Sequence, residues 1–183
     1  MKHALVVGGT GMLADVTLWL NKKGYYVSVM GRRKDRYHKL MEQVHDPKRI
    51  SSILVDYHNT DELRKRLMES IKEHGPYELV VAWVHSSAPE ALPTLLQLQA
   101  EKGLKQTFDL YHVKSSTSYI KREKPDLPSS CSYHEVFLGF KLFGHHSRWL
   151  THQEISDGVK DAIHHNRKET IVGQLEPWEK RPH

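Results

Sequence analysis

The sequence has 183 residues, of which 38% are hydrophobic and 27% charged, with a formal net charge of +5 and one cysteine, Cys131. This is enough chain for one domain with its own core over 1–183, and the composition excludes both wholesale disorder and a disulfide scaffold. Lys and Arg are scattered among acidic residues without a basic stripe, and the apolar run Ala4 to Val7 is too short for a signal-peptide core or a membrane span. The expectation is therefore a cytoplasmic protein with neither a nucleic-acid partner nor membrane contact.

The segment from His3 to Gly8 is apolar, β-branched and closed by glycines, so it reads as a buried strand. Leu13, Val16 and Leu20 then recur at helical spacing, with Lys22 and Lys23 in the last turn and Gly24 as a left-handed cap. A second strand runs from Tyr25 to Met30, and a basic helix from about Lys34 to Val44 stops before Asp46 and Pro47. Ile50 to Val55 is a third strand. Asn59 and Glu62 mark the next helix start, Leu63, Leu67 and Ile71 form its apolar stripe, and Gly75 and Pro76 end it.

Tyr77 to Val84 reads as a fourth strand. Pro89 to Lys102 reads as a helix that tolerates Pro93 only in its first turn and ends before Gly103. A fifth strand is expected from Leu104 to Val113, followed by a polar loop over 114–130 broken by Pro125 and Pro128. "SYHEVFLGFKLFG" restores strand character. Thr151 three residues before Glu154 is a capping-box signature for a helix carrying Ile155, Val159 and Ile163, and Thr170 to Leu175 is the last strand. This alternation predicts an α/β protein of the three-layer Rossmann type, a mainly parallel, doubly wound sheet with helices on both faces. The tail over 176–183, with Trp178, is expected to pack as ordinary surface, with closure over a sheet edge or contact with a second subunit of a homo-oligomer as the alternatives.

In "VVGGTGMLAD", Gly8, Gly11 and Ala14 fall at GxxGxxA spacing between a strand and a helix. The first glycine permits the turn, the second lets the backbone approach a pyrophosphate, and the small third residue lets helix pack on strand. After strand two, where a carboxylate would hold the ribose of NAD, stand Gly31, Arg32 and Arg33. Guanidinium groups suit the extra phosphate of NADP(H), which is expected ahead of NAD.

On "GGTGMLA", "GRR", Asp56 and the helix after "RWLTHQ", the chain resembles the short-chain dehydrogenase/reductase superfamily, particularly its atypical members. The resemblance implies that Gly8, Thr10, Gly11, Met12 and Leu13 surround the pyrophosphate, that Arg32 and Arg33 meet the adenosine phosphate, and that Asp56 and Tyr57 lie beside adenine. It also implies that Trp83, His85 and Ser86 approach the nicotinamide side. Carbonyl reductases of that superfamily use a Tyr with a Lys four residues later, and none of the eight tyrosines here has that partner. Ser115 or Ser116 matches the strand-five serine by position, while Tyr119 and His85 are alternative proton donors. The histidine pairs at 145–146 and 164–165 lack a metal-binding spacing, so no metal is expected. Two functions remain open: an NADP-dependent oxidoreductase of a small molecule the sequence does not name, and a non-catalytic NADP(H)-binding redox sensor.

Overall fold

Among the described residues seven parallel strands form the central sheet, in the order Ile50–Leu54, Tyr26–Gly31, His3–Val7, Leu79–Ala82, Phe108–Ser115, Cys131–Leu138, Glu169–Val172, so the chain winds outward from the first strand in one direction and then from the fourth in the other. The computed structural model describes residues 1–102 and 106–183. Its strands are β1 (His3–Val7), β2 (Tyr26–Gly31), β3 (Ile50–Leu54), β4 (Leu79–Ala82), β5 (Phe108–Ser115), β6 (Cys131–Leu138) and β9 (Glu169–Val172). A separate antiparallel hairpin pairs β7 (Phe140–Phe143) with β8 (His146–Trp149). The helices are α1 (Ala14–Lys22), α2 (Lys34–Met41), α3 (Thr60–His74), α4 (Ala91–Lys102), α5 (Ser116–Lys121) and α6 (His152–His164).

The strands are apolar at consecutive positions because both faces are covered. In β1, Ala4 and Val6 join one core with Val16 and Leu20 of α1 and Val159 of α6. Leu5 and Val7 join the opposite core with Leu63 and Leu67 of α3 and Leu95 of α4. Period-two side-chain alternation thus feeds two separate apolar layers. This is the three-layer, doubly wound Rossmann architecture the sequence predicts, and its switch point lies between β1 and β4, where such sheets open a crevice beyond the strand ends.

Two local expectations change, and a third lies outside the described residues. The stretch over 114–130 is not all loop. β5 stays paired with β6 as far as Ser115 opposite Leu138, and Ser116 to Lys121 then form α5, with Arg122 left-handed at its end. Polarity misleads here because Lys114, although buried in the strand, is neutralised at 3.0 Å by Glu135 of β6. The β7–β8 hairpin replaces a single continuing strand after β6. It bends at Gly139, where the backbone of Gln174 occupies the space a Cβ would need, and turns at Gly144 and His145, so His146 is the first residue of β8, paired with Phe143. Finally, β5 is described from Phe108, and the expected Gly103 cap and strand start at Leu104 lie outside the described residues.

The capping box at Thr151 forms as the spacing predicts: its side chain accepts from the Glu154 amide at 3.1 Å while Glu154 accepts from the Thr151 amide at 2.9 Å. Asn59 likewise accepts from the Glu62 amide at 3.1 Å. In the tail, Arg181 stacks 4.1 Å from the ring of half-buried Trp178. No described helix is long and apolar enough to cross a membrane.

Candidate functional site

A cleft of about 710 Å³ opens at the switch point, floored by the glycine turn between β1 and α1. Gly8 holds φ +87°, a left-handed value that disfavours any side chain. Its carbonyl accepts from the amides of Gly11 at 3.3 Å and Leu13 at 3.2 Å, which closes the turn on itself. Those two amides point inward. Among the described residues the amides of Thr10 and Met12 have no partner, and both residues line the cleft. The turn is tied to α6 by Ser156, whose hydroxyl donates to the Met12 carbonyl at 3.0 Å, and Thr17 donates to the Gly9 carbonyl at 3.0 Å.

Arg32, Arg33 and Arg36 form the basic side of this cleft at the end of β2. Arg33 is already engaged, forming a fork on Asp35 at 2.7 and 3.1 Å, and that fork, before any other cause, lowers the Asp35 carboxyl below its ordinary range. Arg36 stands over the glycine turn, its Nη1 3.3 Å from where a Cβ on Gly11 would be. It escapes a reading of the strand end alone, because it sits one turn into α2. The spacing of "GRRKDR" is the only signal that could have revealed it.

The remaining wall consists of Met30, Val55, Tyr57 and Trp83, with His152 at the start of α6. His152 was not anticipated; the capping box fixes where α6 begins, and so places its first residue at the cleft. Leu13 is buried in the core and contributes no side chain to the cleft, a correction that follows from its position at the helix start facing β1. Asp56 is also turned away. Its Oδ1 meets His58 Nδ1 at 2.6 Å, and that contact, first among several, pulls its carboxyl down. His58 continues to Ser87 at 2.7 Å, Ser87 Oγ meets His85 Nδ1 at 2.8 Å, and the His85 amide donates to the Tyr57 hydroxyl at 3.0 Å. This chain clasps the loop after β3 to the loop after β4. His85 and Ser86 are exposed on that clasp and line neither cleft, so His85 is not placed as a proton donor.

Trp83 is shared with a second cleft of about 360 Å³. Ser115 and Ser116, at the junction of β5 and α5, both reach it, together with Thr117. Ser115 Oγ lies 3.3 Å from Ser118 Oγ. Tyr119 does not reach it. Its ring packs edge-on to Phe137 at 5.1 Å with Arg122 4.0 Å above its face, because α5 turns that side chain back toward β6. Among the described residues no group of three His, Cys, Asp or Glu side chains converges as a metal site.

Neither a family model nor a curated protein matches the sequence. Solved structures do. A short-chain type dehydrogenase/reductase from Mycobacterium marinum superposes with a TM-score of 0.71 at 14% identity, covering 96% of this chain and 95% of that one. The chain has the short-chain dehydrogenase/reductase fold. A β-ketoacyl-[ACP] reductase from Bacteroides thetaiotaomicron matches with a TM-score of 0.70 at 12% identity over 95% of this chain and 98% of that one. The serine dehydrogenase of Escherichia coli gives 0.65 at 12% over 94% and 97%. At these identities the likeness is one of fold.

Proposed function

We propose that the protein is an NADP(H)-dependent oxidoreductase acting on a small molecule. The observation that carries this reading is the placement of Arg32 and Arg36 beside the glycine turn, with the nearby carboxylate Asp35 spent on Arg33. A free acid there would favour the ribose hydroxyls of NAD, whereas unpaired guanidinium groups favour a phosphate.

The residues present fit a dinucleotide. Gly8 and Gly11 leave room for close backbone approach, the Thr10 and Met12 amides and the start of α1 would face the pyrophosphate, and Tyr57 would offer a flat wall to the adenine. When bound, the nicotinamide would supply or accept hydride. Trp83 would form the wall between that ring and the second cleft, and Ser115 and Ser116 would orient the reacting oxygen. A cytoplasmic setting goes with this reading, since the lone Cys131 permits no intramolecular disulfide.

The test is a titration of NADP, NADPH, NAD and NADH against the protein and its Arg32→Ala and Arg36→Ala variants. Each variant is expected to lose at least about tenfold in affinity for the phosphorylated pair alone, about 1.4 kcal/mol. Equal losses for all four dinucleotides would defeat the phosphate assignment.

One observation favours the rival, a non-catalytic NADP(H) sensor: the only tyrosine on α5, Tyr119, is packed away from the second cleft. A sensor requires unequal affinities for NADP and NADPH and no turnover of carbonyl or alcohol substrates. Turnover that disappears in Ser115→Ala/Ser116→Ala while dinucleotide affinity is kept would rule the sensor out.

A further inference from the structure

The second cleft has a chemical character unlike the first. Its walls are Trp83, Leu138, Trp149, Leu150 and Ile155, and among the described residues its polar side-chain groups are the hydroxyls of Ser115, Ser116 and Thr117 and the indole N–H groups of the two tryptophans. No ionisable side chain among the described residues lines it. Charges adjacent to it in the chain are paired elsewhere: Lys114, one residue before Ser115, is buried on Glu135 at 3.0 Å, and Arg148, one residue before Trp149, is held by Glu154 at 2.7 Å.

Trp149 is a second observation. It remains 48% exposed at the end of β8, a large indole at the mouth of the cleft. Its position is fixed by main chain, since Phe140, its cross-strand partner, exchanges two 2.9 Å hydrogen bonds with Gln174. Phe140 itself is fully buried, so the base of the hairpin is anchored in the core while the indole faces outward.

We infer that this cleft binds an uncharged organic molecule, a ring or short aliphatic body lying against Trp149 and Leu150 with one oxygen turned to the Ser115, Ser116 and Thr117 hydroxyls. A carboxylate or ammonium placed there would give up its hydration with no opposite charge to meet it. A hydroxyl both donates and accepts, so the same three residues satisfy a carbonyl oxygen or an alcohol. The volume of about 360 Å³ is at the small end of the range for small-molecule sites, roughly 300–1,000 Å³. That this ligand is the redox substrate rests on the oxidoreductase reading; that it binds here does not.

The experiment uses three probes sharing one ring system, 1-naphthalenemethanol, 1-naphthoate and 1-naphthylmethylamine, titrated by ligand-observed NMR with the full chain, with and without saturating NADP. The neutral alcohol is expected to bind at least about tenfold more tightly than either ion. Trp149→Ala is expected to weaken the alcohol about tenfold with an unchanged melting temperature, and Thr117→Asp to raise the amine above the naphthoate. Either ion binding as well as the alcohol, an unaffected Trp149→Ala, or no binding of the alcohol in both conditions overturns the inference. If the alcohol binds as expected while NADP and NADPH do not, the cleft assignment stands and the oxidoreductase reading falls.

Discussion

In the half of the molecule built from β1 to β4, buried polar side chains form a neutral chain. His3 Nε2 meets Ser28 at 2.7 Å, Ser28 meets Ser70 at 3.1 Å, and the Tyr77 hydroxyl donates to Ser70 at 2.9 Å. In the half built from β5 to β9, the buried polar groups include an ion pair, Lys114 on Glu135, both under a tenth exposed, beside His134, Ser116 and Ser156. The clefts show the reverse. The first half carries its charges at an open rim as Arg32, Arg33 and Arg36, whereas the second half neutralises its charges internally and presents a cleft with none. Charge left at a rim can attract an anion, while charge spent inside the structure holds the frame of a neutral site.

The largest effect that would break this contrast is at the ion pair. Lys114→Met leaves Glu135 buried with only exposed Lys124 at 3.6 Å, and is expected to cost about 3 kcal/mol in urea unfolding. Lys114→Met combined with Glu135→Leu should regain most of it. A single variant as stable as the parent would mean that the second half does not depend on the pair.

At least as large at low pH is an effect shared between the halves. Burial, ahead of all other causes, pushes His3 down to about 4 and His112 down to about 3. Above about pH 6.5 both are neutral in the folded and unfolded chains and contribute no slope. As pH falls below that value the unfolded chain takes up protons that the folded one refuses, so stability declines, by up to about 3 kcal/mol for His3 by pH 4. Chemical denaturation from pH 4 to 7 should show this decline, with His3→Asn and His112→Gln each removing its own share. An unchanged slope in His3→Asn would show that the neutral chain is not what resists protonation.

Gly9→Ala acts on one cleft only. Its Cβ would stand 2.6 Å from Thr17 Oγ1 and 2.9 Å from Val6 Cγ1, a clash expected to cost about 1–3 kcal/mol and to weaken dinucleotide binding. The neutral-alcohol affinity of the other cleft should be unchanged, and a parallel loss there would show that the clefts are not separable. The smallest effect is Thr151→Ala, which removes the α6 cap for about 1 kcal/mol by thermal melting. Since α6 contributes His152 to the first cleft and Ile155 to the second, any change in affinity should appear in both.

The first cleft was largely legible in the sequence because its parts are contiguous. "GGTGM" makes a turn and "GRRKDR" a strand end, and each keeps its meaning without knowledge of the rest of the chain. Arg36 and His152 were missed because helical phase, not sequence neighbourhood, brings them there. The second cleft was hardly legible. It draws on Trp83, Ser115, Leu138 and Trp149, residues from four elements that meet only when β4, β5 and β6 are in register and the hairpin is docked. The hairpin was hidden because "SYHEVFLGFKLFG" reads as one run of strand character, and the bend at Gly139 depends on the Gln174 backbone thirty-five residues away. Tyr119 and His85 were chosen for their chemistry, but packing against Phe137 and hydrogen bonding to Ser87 decide where they point.

Trp83 forms part of both clefts, which gives their ligands a shared wall. If an occupant of one side shifts the indole, it alters the binding constant on the other, and the factor is the same in both directions. A dinucleotide that improves the fit of the neutral ligand must itself be held more tightly by the ternary complex, so a single side chain is enough to couple loading of the two sites.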